Sequence, residues 1–266
     1  MKLREYFMNE KHAEKVVFSL DDKFKFSCNS GLACFNTCCR DINIFLTPYD
    51  VLRMRRSTGL PSDELLNRYT IALLGEEGLP LVVLKMKEDQ HKTCPFVTPE
   101  GCGIYQDRPW SCRMYPVFPV SSEEEEFLIE EKATCHGFKE DRQSTVREWK
   151  RDQNLELYDK LNESYKQITL HDFFQNGNKL DGGKSKLLYT ACYDLDAFKN
   201  FLFGTRFFDI YDVEKEVIDR IKEDEEELQH FGYRWVRFSL FSEDTLKLKD
   251  KEMDKLLQQS RSRISS

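Results

Sequence analysis

The sequence lacks the short motifs by which many nucleotide-dependent and hydrolytic enzymes are recognised. It contains no glycine-rich dinucleotide fingerprint, no P-loop, no Gly-x-Ser-x-Gly elbow and no His-Glu-x-x-His motif. The run Gly182-Gly183-Lys184-Ser185 is similar only to the end of a P-loop, because Asn178 stands where that motif needs its first glycine. We therefore expect this run to be a flexible loop that binds no nucleotide.

The chain also has no long apolar run. The longest clean stretch, Leu79 to Leu84, is far shorter than the roughly 20 residues of a membrane-spanning helix. The first residues, Met1 to Tyr6, are not followed by the apolar core of a secretory signal. We therefore expect a soluble cytoplasmic protein with no membrane partner, in which thiols stay reduced.

The charge balance argues against nucleic acid as a partner. Lys and Arg number 40 against 47 Asp and Glu, which gives a net charge of −7, and non-specific phosphate binding depends on clustered basic residues. Arg53, Arg55 and Arg56 are a candidate basic patch, but their spacing is more typical of the solvated face of a short helix. Hydrophobic residues make up 40% of the chain and Phe occurs 20 times, so we expect a globular protein with an aromatic core.

The distribution of cysteine and of helix signals divides the chain. We predict a cysteine-cluster metal-binding region over residues 1–140, a mainly helical region over 141–241, and a polar tail over 242–266. The predicted fold class is α+β, because strand and loop signals give way to capped amphipathic stretches near Thr145. The first region should have short helices and strands, with the helical region packed on it.

Local signals predict several elements in the first region. Thr47 and Pro48 should start a helix that ends near Gly59, because Thr47 can cap the free N–H groups and Pro48 needs no donor there. Ser62 should start a second short helix. The predicted strands are residues 81–84, 114–120 and 127–132, the last two paired with each other.

Capping signals dominate the second region. A capping box at Thr145 and Glu148 begins a helix that continues towards Ile168. Asp194 should cap another helix that ends at Gly204. The remaining predictions are a helix from about Val213 to Phe231 stopped by Gly232, a strand from Tyr233 to Phe241, and a tail that is helical through Leu257 and frayed beyond.

The clustered cysteines are the strongest functional signal. Eight of the nine lie within 108 residues, and in a reduced compartment such clustering favours metal ligands over disulfides or isolated buried thiols. Cys192 stands alone among apolar residues and is expected to be buried and inert. The candidate ligands are Cys28, Cys34, Cys38, Cys39, Cys94, Cys102, Cys112 and Cys135.

The adjacent pair Cys38-Cys39 restricts the kind of metal site. Neighbouring side chains point to opposite faces of a strand, or diverge by about 100° on a helix, so both thiols could bind one ion only with a distorted backbone. The chain also has no close Cys-x-x-Cys pair, which independent zinc ribbons use. A cluster with several irons, or two neighbouring metals, fits this spacing better.

Three arginines are candidates for balancing the charge of thiolate ligands. Arg40 follows Cys39, Arg113 follows Cys112, and Arg108 lies shortly before it. Guanidinium groups near a cluster would offset its negative charge and donate hydrogen bonds to sulfur. The alternative is that they are ordinary surface arginines. His136 is a candidate ligand or hydrogen-bond donor, and His91 is a weaker one.

These motifs, taken in order, resemble a known family. Cys28 through Cys39, Cys94-Pro95-Phe96, Gly101 through Tyr105, Arg108 through Arg113 and Cys135 are similar to the YkgJ-type cysteine-cluster family, whose members carry a zinc- or iron-chelating CxxCxxCC domain. The resemblance covers about residues 24–140 and implies that all eight cysteines are candidate metal ligands. The first block departs from the family pattern, because five and three residues separate its cysteines where the family usually has two.

The sequence leaves several functions open. The leading hypothesis is a cytosolic protein that holds an iron–sulfur cluster, or alternatively zinc, with a redox, sensing or structural role. A second is a protein-modifying enzyme, since some relatives of this family act as protein lysine methylases. A third is a structural zinc domain that presents the helical region to a protein partner. No residue can be assigned to catalysis from the sequence.

Overall fold

We describe a computed structural model of the chain, which covers residues 16–120 and 125–252. The fold is α+β, with short antiparallel strands and a second half that is mainly helical, as the sequence predicts. Within the described ranges, no helix combines the length and the apolar character needed to cross a bilayer. The start of the chain and the tail from residue 253, including its expected frayed end, lie outside the described residues.

The elements are short in the first half and longer in the second. The helices are α1 (Pro48–Thr58), α2 (Ser62–Tyr69), α3 (Trp110–Met114), α4 (Val146–Asp152), α5 (Leu155–Thr169), α6 (Asp172–Gln175), α7 (Gly182–Cys192), α8 (Leu195–Gly204), α9 (Phe207–Ile210), α10 (Lys215–Glu223) and α11 (Glu225–Phe241). The strands are β1 (Val17–Phe18), β2 (Lys23–Lys25), β3 (Phe45–Leu46), β4 (Thr70–Leu74), β5 (Pro80–Leu84), β6 (Val97–Thr98), β7 (Gly101–Cys102), β8 (Val117–Pro119), β9 (Phe127–Ile129), β10 (Gln143–Thr145), β11 (Tyr211–Asp212) and β12 (Lys247–Leu248).

The chain forms two compact units. Of the described residues, the first consists of 16–57 and 83–161 without 121–124, and the second of 58–82 and 162–252. All eight clustered cysteines belong to the first unit. The division at residues 140 and 241 stays a prediction.

The first unit has a core of strands and aromatic rings. β9 lies between β1 and β8, and the antiparallel pairing of Phe118 with Leu128 confirms the predicted pairing of this region. β2 pairs with β10, which leads into α4 through the predicted capping box at Thr145. The indole of Trp149 packs edge-on against the ring of Phe26 at 5.4 Å between centroids. The buried core of this unit includes Leu20, Phe24, Phe26, Met114, Val117, Phe127, Val146 and Trp149.

One buried carboxylate ties α1 to α3. Asp50 and Thr47 cap the start of α1 reciprocally, since Thr47 N–H donates to Asp50 Oδ2 at 2.8 Å and Asp50 N–H to Thr47 Oγ1 at 3.2 Å. The other carboxylate oxygen accepts from the backbone N–H of Trp110 at 2.7 Å. Asp50 is fully buried, and this burial raises its pKa to about 6. The carboxylate therefore fixes the helix that carries Cys112.

In the second unit, the Gly182–Ser185 run is helical, and its prediction as a flexible loop was wrong. Asp181 caps α7 by accepting from the backbone N–H of Lys184 at 2.9 Å. The hydroxyl of Ser185 donates to the carbonyl of Gly78 at 2.6 Å. This cap and long-range contact stabilise a helix start that two glycines alone would disfavour.

The predicted end of the long helix near residue 231 also differs from the structure. The predicted helix from Val213 is divided at Asp224, whose side chain caps α11 by accepting from the N–H groups of Glu226 and Glu227. α11 then continues through Gly232 to Phe241, so the predicted stop and the predicted strand were both wrong. A similar division at Asn154, with φ of 55°, separates α4 from α5.

Packing against α7 explains the glycine within α11. A Cβ atom at position 232 would lie 2.3 Å from the carbonyl oxygen of Ala191. Gly232 therefore permits close contact of two helices, and buried Tyr233, Trp235 and Val236 follow it on α11. Tertiary packing here outweighs the ordinary tendency of glycine to end a helix.

We expect Gly232→Ala to destabilise the fold by at least about 1–3 kcal/mol, because the added methyl group overlaps the backbone of α7. Chemical denaturation followed by circular dichroism would measure the free energy of unfolding. Gly204→Ala is the matched control, since a Cβ there meets nothing within 4 Å. Equal stability of both variants would contradict the close contact.

We expect Asp50→Asn to lower the free energy of unfolding by about 1–3 kcal/mol, because the amide nitrogen would face a backbone N–H and leave one buried donor without an acceptor. Asp63→Asn is the control, since Asp63 is exposed in the first turn of α2. Surface changes of that kind usually alter stability by less than about 0.5 kcal/mol. Similar denaturation curves for the two variants would show that Asp50 does not link the two helices.

Candidate metal centre

A winding loop brings the first cysteines together. Between Asn29 and Cys39 the backbone makes successive turns, with Thr37 N–H donating to the carbonyl of Cys34 at 3.0 Å. Asn36 has a left-handed conformation, φ 65°, and precedes a short 3-10 helix, Thr37–Cys39. The loop thereby returns towards Cys28, although five and three residues separate its cysteines.

A second segment adds Cys135 to this loop. Ser27 N–H donates to the carbonyl of Gly137 at 3.0 Å, and His136 N–H donates to Cys34 Sγ at 3.2 Å. Gly137 permits this approach, because a Cβ there would lie 2.7 Å from the ring of Phe26. The backbone N–H of His136, and not only its ring, is therefore available to a sulfur ligand.

The pKa of Cys28 shows which thiols are its neighbours. Partial burial, followed by the charges of Cys38, Cys135 and Cys34 in that order, raises this pKa to about 11. We call Cys28, Cys34, Cys38 and Cys135 the first cysteine set. Cys28 and Cys38 are exposed, so this set faces solvent.

The remaining cysteines gather on the other side of the adjacent pair. Cys94 N–H donates to the carbonyl of Cys39 at 2.9 Å. The hairpin of β6 and β7 pairs Val97 with Cys102, which brings Cys102 back beside this segment. Cys112 lies on α3, the helix that Asp50 fixes.

The effects of these four thiols on one another's pKa values also group them together. The pKa of Cys112 is raised by burial and then by Cys94, the Asp50 carboxylate and Cys102, while Arg108 lowers it. The pKa of Cys39 is raised by its hydrogen bond to Cys38 and by burial, and also by Cys112 and Cys94. We call Cys39, Cys94, Cys102 and Cys112 the second cysteine set. Cys94 is only 8% exposed, so this set is more enclosed than the first.

The adjacent cysteines belong to different sets and are coupled by a hydrogen bond. The Cys39 thiol stabilises the thiolate of Cys38, which lowers the pKa of Cys38 to about 7 and raises that of Cys39. Lys132 is a further cause of this lowered pKa. A lowered pKa favours the thiolate of Cys38, which is the form that binds metal.

Arg108 lies near the second set. Its guanidinium lowers the pKa values of Cys102 and Cys112. The same group donates to the carbonyl of Tyr105 at 2.6 Å and stacks 3.8 Å from the centre of the Tyr105 ring. Arg108 therefore lies close to the second set, and its expected role in balancing thiolate charge stays a prediction.

Arg113 is hydrogen-bonded to three backbone carbonyl groups. Its guanidinium donates to the carbonyls of Arg108 at 3.0 Å, Gln153 at 2.8 Å and Gln106 at 2.5 Å, and it stacks over Tyr158. These bonds hold the loop before Cys112 against the end of α4. The expected balancing of thiolate charge by Arg113 stays a prediction.

The other candidates lie at the edges of the two sets. Arg40 is exposed and forms a β-bridge with Thr93 next to Cys94, and its expected role also stays a prediction. His91 is exposed on a turn capped by Asp89. Cys192 is fully buried in the second unit, where burial raises its pKa, in agreement with an inert thiol.

Two further residues near the cysteines were not predicted from the sequence. The hydroxyl of Tyr115 lies near Cys135 and Cys38, and burial with these neighbours raises its pKa. Asp50 contributes its negative charge near Cys112. Thr47 and Asp50 have the spacing of a reciprocal helix cap, and this signal could have identified Asp50 as a structural residue of the site. No local sequence pattern identifies Tyr115.

The donor atoms suit a thiophilic metal. All nine cysteines are free thiols, and sets of four thiolates bind zinc and iron–sulfur clusters. Across residues 16–120 and 125–252, however, no three Cys, His, Asp or Glu side chains already surround a point where a metal ion could be held.

Comparison with known proteins agrees with this chemistry. Residues 27–136 match the model of the CxxCxxCC family, which is described as a "putative zinc- or iron-chelating domain". No curated protein and no solved structure is detectably similar to the chain. The match begins just before Cys28 and ends just after Cys135, so it contains both cysteine sets. The cysteine-rich segment of this chain is therefore similar to the CxxCxxCC domain over residues 27–136.

Proposed function

We propose that this protein binds metal at two neighbouring centres, one held by the first cysteine set and one by the second. The observation that carries the proposal is that hydrogen bonds bring separate cysteine segments together: His136 N–H donates to Cys34 Sγ, and Cys94 N–H donates to the carbonyl of Cys39. The effects of the thiols on one another's pKa agree with this grouping. Four thiolate ligands are enough to complete one centre in each set. The sequence match to a zinc- or iron-chelating domain supports metal as the ligand.

We favour iron–sulfur clusters over zinc ions. The sulfurs around one tetrahedral zinc ion lie only about 3.8 Å apart, given the usual zinc–sulfur bond length. A cluster distributes its ligands over several irons, so its ligand sulfurs lie further apart. The chain has no close Cys-x-x-Cys pair of the kind that zinc ribbons use, and this spacing favours ligands directed at different metal atoms. Two zinc ions with four thiolates each are the alternative.

Solvent exposure supports different roles for the two centres. The first set includes exposed Cys28 and Cys38, so a metal held there would be open to oxidants, chelators and redox partners. The second set joins three separate segments through Cys39, Cys94 and Cys112 around a buried core. We assign a redox or sensing role to the first centre and a structural role to the second.

The cellular setting follows from the same chemistry. Free, partly exposed thiols with a pKa as low as about 7 at Cys38 would oxidise in an oxidising compartment. We therefore propose a cytoplasmic protein. The exposure of the first centre supports a protein partner that exchanges electrons or reads the state of the metal.

We predict that Cys135→Ala and Cys112→Ala each remove about half of the bound metal, because each variant breaks one set of four ligands. Cys112→Ala should also lower stability more, since its set is more enclosed. Metal analysis of anaerobically purified protein, together with chemical denaturation, would measure both effects. Cys192→Ala is the control and should retain all of the metal.

The outcomes of this series separate three arrangements. Loss of half of the metal in each ligand variant supports two centres. Complete loss of metal in either variant would show one cluster shared by all eight cysteines. Equal metal content in the Cys112 and Cys192 variants would remove Cys112 from the ligands altogether.

We predict that protein purified without oxygen, from cells supplied with both metals, contains iron and acid-labile sulfide and absorbs visible light. A chelator or brief exposure to air should remove the metal of the first set before that of the second, because Cys28 and Cys38 are exposed. Colourless protein with stoichiometric zinc and no sulfide would replace the iron–sulfur proposal with the zinc alternative.

A further inference from the structure

Strand β4 in the second unit has an unprotected apolar edge. Ile71, Leu73 and Leu74 are 46%, 50% and 65% exposed, and Ala72 between them is exposed as well. Among the strands that the structure describes, β5 is hydrogen-bonded to one side of β4 and none to the other. The strand contains no charged residue and no proline, which are the usual devices that keep an edge from pairing.

The hairpin geometry shows which backbone groups face outward. Gly75 N–H donates to the carbonyl of Leu79 at 2.9 Å where the hairpin closes. Because hydrogen bonding alternates along an antiparallel pair, the N–H and carbonyl groups of Ile71 and Leu73 point to β5, and those of Ala72 and Leu74 point away from it. The backbone groups of Ala72 and Leu74 are therefore available to another strand.

We propose that β4 pairs antiparallel with β4 of a second copy of this chain, so that the protein forms a symmetric dimer. The two Ala72 residues would face each other and exchange both of their backbone hydrogen bonds.

Charge complementarity favours a second copy over an unrelated extended peptide. Arg68 lies just before β4 and is 61% exposed, with a long 4.0 Å contact to Glu64, while exposed Glu76 follows the strand. Arg68 lies in the last turn of α2, beside the start of β4, and Glu76 lies in the turn that follows the end of the strand. Antiparallel pairing would place the start of each β4, with its basic residue, beside the end of the other, with its acidic residue, whereas parallel pairing would place like charges together.

Apolar contacts also match under this pairing. Ile71 of one copy would lie opposite Leu73 of the other, and such cross-strand pairs stabilise sheets. Beside β4 is a cleft of about 240 Å³ whose lining includes Leu74, Pro80 and Tyr189. The strand of the second copy would cover this cleft and the exposed leucines together.

Sedimentation of the full-length protein over a range of concentrations tests the proposal. The wild type should form dimers, and Leu73→Lys should be monomeric, because the change places a charge within the apolar strand pair. Leu170→Lys is the matched control. Leu170 is 48% exposed, in the same unit but outside β4, so its variant should dimerise as the wild type does.

Charge exchange tests the orientation without disturbing the strand. Arg68→Glu or Glu76→Arg alone should raise the dimer dissociation constant about tenfold, through loss of two ion pairs and gain of like-charge contacts. The double variant, Arg68→Glu with Glu76→Arg, should restore the wild-type value. A monomeric wild type at all concentrations, a dimer unaffected by Leu73→Lys, or a double variant that is not restored would each overturn the proposal. Binding of an extended partner peptide by a monomeric wild type would identify the edge as a site for another protein.

Discussion

The hydrogen bond between the thiols of the adjacent residues Cys38 and Cys39 is the interaction at which the two cysteine sets meet. The rest of the site is arranged around this pair. The loop from Cys28 turns back to meet Cys38 on one side, and the Cys94 segment bonds to the carbonyl of Cys39 on the other. The hydrogen bond between the two thiols couples the sets, so a change in the ionisation of one affects the other.

Electrostatic balance is the second constraint on this site. Eight thiolates near one another would repel strongly, and the raised pKa values of Cys28, Cys39 and Cys112 express that repulsion together with burial. Among the described residues, Arg108 lowers the pKa of Cys102 and Cys112, Lys132 that of Cys38 and Lys87 that of Cys94. Because three cations cannot balance eight thiolates, ionisation of all eight together would need further positive charge, which a bound metal would supply.

The sequence was informative where a structural feature depends on nearby residues. The caps at Thr47, Thr145 and Asp194 were found from the sequence, because each cap bonds to residues a few positions away. The Gly182–Ser185 run and Gly232 were misread, because contacts with Gly78 and Ala191 decide their conformation. The grouping of the cysteines likewise depends on long-range backbone bonds, so spacing identified the candidates but not their two sets.

The unusual spacing of the first cysteine block is explained by the loop itself. Five and three residues separate its cysteines where the family usually has two, which raised the question of whether Cys28 or Cys34 takes the first position. Left-handed Asn36 and the turns around it take up the additional residues, so Cys28 and Cys34 both reach the first set. Longer spacing therefore changes the path of the backbone and keeps the number of thiols in the set. Spacing in such a loop can vary while the donor set is retained, because the turns and the bond from His136 N–H to Cys34, more than the sequence interval, bring the sulfurs together.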